Sequence, residues 1–127
     1  NYNPAPKPDT SAWRWASFTP YELRCRGTGR LVVIPEALDK LQAVRVILGK
    51  PMPVLSAWRS PGHNLSVGGA TNSYHLQALA WDINTSKLDP EELIRIARFV
   101  GFNGIGRYPR QNFVHIDLRE SPAEWNG

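Results

Sequence analysis

Two short stretches of this chain alternate apolar and polar residues with a period of two. In one, Val114, Ile116 and Leu118 alternate with Phe113, His115 and Asp117. In the other, Leu79, Trp81 and Ile83 alternate with Ala80, Asp82 and Asn84. Such alternation specifies half-buried β-strands, whose successive side chains point to opposite faces. The aliphatic set of the later strand faces the core, so His115 and Asp117 lie together on the other side. Asp82 likewise points away from the face carrying Trp81. If the two strands are neighbours in register, Asp82 and His115 come within about 5 Å at Cβ. That is near enough to share one ion at ~2.0–2.2 Å per ligand.

A third ligand type stands close by. His75 precedes Asp82 at the point where a loop over 62–72, rich in Gly, Ser, Asn and Thr, meets the strand. The strand period does not bring His75 beside Asp82, so a turn between them is required. Two imidazoles and a carboxylate suit one zinc ion and leave a coordination position open for water, which separates catalytic from structural sites. Other first-row ions accept the same donors. His63 lies in a Ser-Pro-Gly-His-Asn turn, where a hydrogen-bonding role around the site suffices for it. Ser73 is expected to hydrogen-bond near the site, since no partner for a serine nucleophile is visible. Tyr74 and Tyr108 are candidates for lining the cleft.

The remainder of the chain supplies the scaffold. At 127 residues, 42% of them hydrophobic, it is one domain with an ordinary core. A chain of this length buries roughly 65–70% of its unfolded surface, so no disulfide is needed. Cys25, the single cysteine, reads as a small, partly buried hydrophobe. Residues 1–12 carry three prolines and read as an extended N-terminal arm, with the domain proper over 13–127. Thr19-Pro20-Tyr21-Glu22 resembles a capping box opening a short helical turn, and Leu31–Ile34 is β-prone.

Pro35 to Leu48 shows helical spacing through Leu38, Leu41, Val44 or Arg45, and Leu48, closed by Gly49 and Pro51. Val54 to Arg59 reads as a strand ending in a turn over 60–64. A second helix has Asp89 as N-cap, Pro90 at its first position and Glu92 completing the box; its stripe is Leu93, Ile96, Ala97 and Val100, and Gly101 ends it. Residues 102–106 read as a connector and 119–127 as a polar tail with a lone Trp125. Strands interleaved with two helices define an α+β domain: an antiparallel sheet with flanking helices.

Composition excludes more than it selects. The formal charge is +4 and the pI about 9.6, but the arginines are scattered, giving a soluble surface with mild cationic bias. Five tryptophans and a basic pI permit base stacking, yet the aromatics are dispersed, and no specific nucleic-acid binding is expected. No run approaches the ~20 apolar residues of a membrane span. No signal peptide is present in this chain, and its first residue is Asn, consistent with removal of something upstream. A monomer is expected.

The residues also carry a family pattern. Ser-x-His-x-x-Gly-x-Ala-x-Asp, followed downstream by a strand bearing a His, resembles the signature of the zinc D-alanyl-D-alanine peptidases. That family includes D-alanyl-D-alanine carboxypeptidases, L-alanyl-D-glutamate endopeptidases and phage endolysins, and Hedgehog signalling domains share its fold. Ser73, His75, Ala80 and Asp82 match position by position. Ser56 to Asn64, Val67 to Ala70 and Phe113 to Asp117 look like the branch of small single-domain members. The resemblance covers roughly residues 13–125.

The resemblance implies a zinc-dependent peptidoglycan peptidase, hydrolysing bonds that involve D-amino acids in cell-wall stem peptides. It would act as an L-alanyl-D-glutamate endopeptidase or a D,D-carboxypeptidase or endopeptidase, in the periplasm or cell wall. It further implies an arginine at Arg59 that stabilises an oxyanion or holds a substrate carboxylate, tasks a guanidinium fork suits. Two departures stand out. The family Gly is Ala78 here, suggesting a slightly different backbone at that turn. The usual general-base slots hold Asn112 and Phe113, which cannot take a proton. Asp117 is the replacement for that base, or else a carboxylate orienting a zinc-bound His115. The alternative function is a non-catalytic metal-binding domain of the same fold that binds cell wall or a protein partner.

Overall fold

Pro35 and Gly49 bracket the longest helix of the computed structural model, which describes residues 13–69 and 73–127. The expected arm over 1–12 lies outside the described residues. The helices are α1 (Pro20–Leu23), α2 (Pro35–Leu48), α3 (Pro61–Ser66) and α4 (Pro90–Val100). The strands are β1 (Val54–Ser56), β2 (Ala80–Asn84), β3 (Gly104–Tyr108), β4 (Phe113–Asp117) and β5 (Ala123–Asn126). Short 3-10 turns occupy Tyr74–Gln77 and Pro109–Gln111.

The helix ends follow the local chemistry. Thr19 Oγ1 accepts the Glu22 amide at 3.1 Å, Ser60 Oγ that of His63 at 3.2 Å and Asp89 Oδ1 that of Glu91 at 3.0 Å. Each of these helices has proline at its start, where the missing N–H has no helical partner to lose. Gly49 closes α2 at φ 68°, a left-handed conformation glycine adopts without steric cost. Neither expected capping box closes with its acidic side chain. Glu22 instead accepts the Val54 amide at 2.9 Å, tying α1 to β1, and Glu92 pairs with Lys50 at 3.1 Å.

Five strands form one sheet in the order β1-β2-β4-β3-β5. All neighbours are antiparallel except β3 and β5, which run parallel. Five readings of the sequence are corrected. The connector at 102–106 is largely β3, and the polar tail contains β5; Gly104 and Gly106 hide the period of β3, because a bare position carries no polarity. Leu31–Ile34 is irregular, with Val32 and Ile34 exposed. The strand from Val54 stops at Ser56. The Ser-Pro-Gly-His-Asn turn opens helix α3, because Ser60 and Pro61 are a helix start signal as well as a turn signal.

One face of the sheet is covered by the helices. Trp81, Ile83, Ile105, Val114 and Ile116 join Leu38, Leu41 and Val44 of α2 and Leu93 and Ala97 of α4 in one core cluster. Phe102 is fully buried, its ring edge-on to Trp81 at 6.0 Å between centroids. The opposite face carries Asp82 and His115, which are register partners across β2 and β4. Phe102→Ala leaves a void at the centre of this core and is expected to lower stability by about 3–5 kcal/mol, read from the midpoint of urea unfolding.

Candidate metal centre

The β2–β4 ladder sets two of the candidate ligands. Its register places Asp82 opposite His115, flanked by the Trp81–Ile116 and Ile83–Val114 pairs on the buried side. His75 reaches them from the 3-10 turn Tyr74–Gln77, the turn that the strand period required. Ser73 Oγ accepts the His75 amide at 3.2 Å and caps that turn. Ala78 ends it at φ 57°, ψ 31°, the left-handed region where glycine is favoured. The backbone therefore takes a glycine-type conformation at the family's Gly position, with a buried methyl added.

One ligand atom from each of His75, Asp82 and His115 lies within 4.8 Å of the others. Both rings are fixed from behind. His75 Nδ1 lies 2.6 Å from the Ala57 carbonyl, which can only accept, so Nδ1 carries the proton. Its Nε2 then turns a lone pair toward Asp82 Oδ1, 3.2 Å away. His115 Nε2 lies 2.7 Å from Asp117 Oδ2 and its Nδ1 2.9 Å from Asp82 Oδ1. With Nε2–H given to Asp117, the lone pair of Nδ1 also points at Asp82.

Two ring nitrogens thus face one carboxylate oxygen, with all three atoms close enough to share one ion. Such a cluster is stabilised only by a cation, and the donor set suits a divalent transition metal. Burial opposes charge on His115, but hydrogen bonds to Asp117 and Asp82 outweigh it and raise its pKa above the ordinary value. Burial alone would raise the pKa of Asp82, but its hydrogen bonds to His115 and His75 prevail and hold the carboxyl well below the usual range.

Asp117 is fully buried, and four hydrogen bonds saturate its carboxylate. Besides His115 Nε2, it accepts Arg119 Nε at 2.8 Å, Arg119 Nη2 at 2.6 Å and the Arg119 amide at 3.1 Å. Burial raises its pKa, but these partners, Arg119 first, hold it well below the usual carboxylate range. Gly104 makes room for it: a Cβ there would overlap both Asp117 carboxylate oxygens.

A cleft opens over the cluster, with Arg59, Tyr74, Tyr108, Phe113, Arg119 and Trp125 among its walls. Arg59 Nη2 sits 3.4 Å from Asp82 Oδ2, on the side away from the histidines, braced by Ser56 Oγ at 3.1 Å and Asn64 Oδ1 at 3.3 Å. Ser73 and Tyr74 flank His75 on the cleft wall, and Tyr108 stacks on Phe113 with ring centroids 4.4 Å apart. His63 does not line this cleft; its ring packs against Gly27.

Arg119 and Trp125 were missed in the sequence. The period of β4 extended by one step, from 115 and 117 to 119, was a signal for Arg119. Nothing local marked Trp125, which β5 delivers against His115 at 5.3 Å between ring centroids.

A largely buried His-Asp-His cluster at the base of an open cleft is the kind of centre on which metallohydrolases are built. The Peptidase M15 family profile matches residues 16–117, and the chain belongs to that family, whose members are metal-dependent peptidases. It is also 34% identical over 90 residues to the peptidoglycan L,D-endopeptidase MepK of Escherichia coli K12, and to the same-named protein of Shigella flexneri. Those matches cover 65% of this chain and 50% of each relative, so the chain spans about half the length of the curated relatives it matches.

Two substitutions probe the support behind His115. Gly104→Ala forces its methyl onto a carboxylate that cannot retreat, and should destabilise the fold by at least ~1–3 kcal/mol in thermal unfolding. The folded-state pKa of Asp117 lies below its unfolded value of about 3.9. Its contribution to stability is therefore complete above that pH and is lost as pH falls through the acid range. Asp117→Asn should lower stability at neutral pH and flatten the acid limb of the stability–pH curve.

Proposed function

We propose that this chain is a zinc-dependent peptidoglycan peptidase that cleaves peptide bonds at D-amino acids in cell-wall stem peptides. The convergence of His75, Asp82 and His115 donor atoms within 4.8 Å at the base of an open cleft carries this reading. The likeness to peptidoglycan L,D-endopeptidases supports the substrate class and favours endopeptidase over carboxypeptidase action. The site of action is then the periplasm or cell wall.

In this reading His75, Asp82 and His115 hold one zinc ion, which supplies Lewis acidity and a water of lowered pKa, toward ~7. Arg59 lies beside the ligand set, with its guanidinium oriented by Ser56 and Asn64. From there it stabilises negative charge on the substrate carbonyl or binds a neighbouring carboxylate. Of the two roles open to Asp117, its burial and four hydrogen bonds favour orientation of His115 over proton abstraction. Ser73 caps the turn carrying His75, and Tyr74 and Tyr108 shape the cleft.

Mass spectrometry of muropeptides incubated with the purified protein identifies substrate and bond together. Cleavage is expected, abolished by a chelator and restored by zinc, and reduced to background in His75→Ala and His115→Ala. Hydrolysis that survives in chelator-treated His115→Ala overturns the proposal. Retention of intact muropeptides without products would instead mark a binding domain of the same fold.

A further inference from the structure

The family match ends at residue 117, yet two side chains beyond it enter the site. Arg119 donates to both oxygens of Asp117 in a fork, at 2.8 and 2.6 Å. Its guanidinium also lies over two aromatic rings, 4.8 Å from the centroid of Tyr74 and 4.8 Å from that of Trp125. Tyr74 adjoins His75, Asp117 holds His115, and Trp125 lies against the His115 ring. Three segments distant in sequence therefore meet on one planar cation: the 3-10 turn, β4 and β5.

The cation is itself held in place. The Asn103 side chain donates to the carbonyls of Arg119 and Glu120, at 3.0 Å each. Trp125 Nε1 donates to Tyr108 Oη at 2.7 Å, and the Trp125 ring fills the space left by Gly106, where a Cβ would overlap it.

We propose that Arg119 is a positioning residue for the metal site, acting through Asp117 to hold the His115 ring in its ligating orientation. The proposal rests on the reading of His75, Asp82 and His115 as metal ligands. Its physical basis is the shape of the guanidinium. A planar fork bonds both carboxylate oxygens at once and stacks flat on aromatic rings, whereas a lysine ammonium is a point donor and can do neither. With the fork removed, the Asp117 carboxylate can rotate, and the Nε2–H of His115 loses a fixed acceptor. Partners of this kind behind a metal-bound histidine typically account for 10–100-fold in metal affinity.

Competition for zinc against a chromophoric chelator tests this without any substrate, on the full chain, with circular dichroism confirming that each variant is folded. Arg119→Gln is expected to weaken zinc binding about 10–100-fold, and Arg119→Lys to recover only part of the loss. Because Arg119 acts through Asp117, Arg119→Gln combined with Asp117→Asn should bind zinc no worse than Asp117→Asn alone. Losses that multiply in the double variant, or wild-type zinc affinity in folded Arg119→Gln, overturn the proposal. So does a raised KM with unchanged zinc affinity, which would place Arg119 on the substrate instead. If the wild-type chain binds no zinc, the ligand assignment itself falls, and this proposal with it.

Discussion

The antiparallel register between β2 and β4 is the constraint on which the site depends. It sets Asp82 opposite His115, and the same ladder stacks Trp81 on Ile116 and Ile83 on Val114. A slip of one residue would turn the aliphatic side chains to the cleft and Asp82 and His115 into the core. The energy that fixes this register comes from the buried face, where Ile83, Val114 and Ile116 are almost fully enclosed. The polar face thus inherits its geometry from packing on the other side of the same two strands.

A preference for cations is then built in from behind. The Ala57 carbonyl and the Asp117 carboxylate each occupy one nitrogen of a histidine ring and leave the other facing Asp82. The arrangement would be repulsive if nothing positive sat among the three groups. Much of the site consists of groups that never face the cleft at all, a buried carboxylate and a main-chain carbonyl, because ring orientation has to be settled before a ligand arrives.

What could be read from the sequence follows from where periodicity is visible. Strands β2 and β4 announce themselves, since large aliphatic residues alternate with polar ones, and this was enough to place Asp82, His115 and Asp117 on one face. Helix α2 was equally plain, from Pro35 through its apolar stripe to Gly49. Strand β3 was hidden by Gly104 and Gly106, and β5 by its exposure at the sheet edge, where little hydrophobic pattern is imposed. The role of Asp117 turned on burial: a carboxylate on the polar face reads as accessible until Arg119 and β3 are seen to enclose it. Trp125 becomes part of the site only because β5 pairs alongside β3, a long-range event with no local signature, whereas Arg119 stands one step beyond the visible period of β4.

Gly104 ties two distant positions together over time. A single added carbon there overlaps the Asp117 carboxylate, so the two sites are not free to drift independently. A lineage that acquires any side chain at 104 must first shrink or lose the acid at 117, and with it the anchor behind His115. Among related sequences, a bare residue at this place in β3 should therefore accompany the buried acid, and a bulkier one its absence. An apparently featureless glycine thereby serves as a marker, readable without any structure, for whether a homologue has kept the support of its histidine.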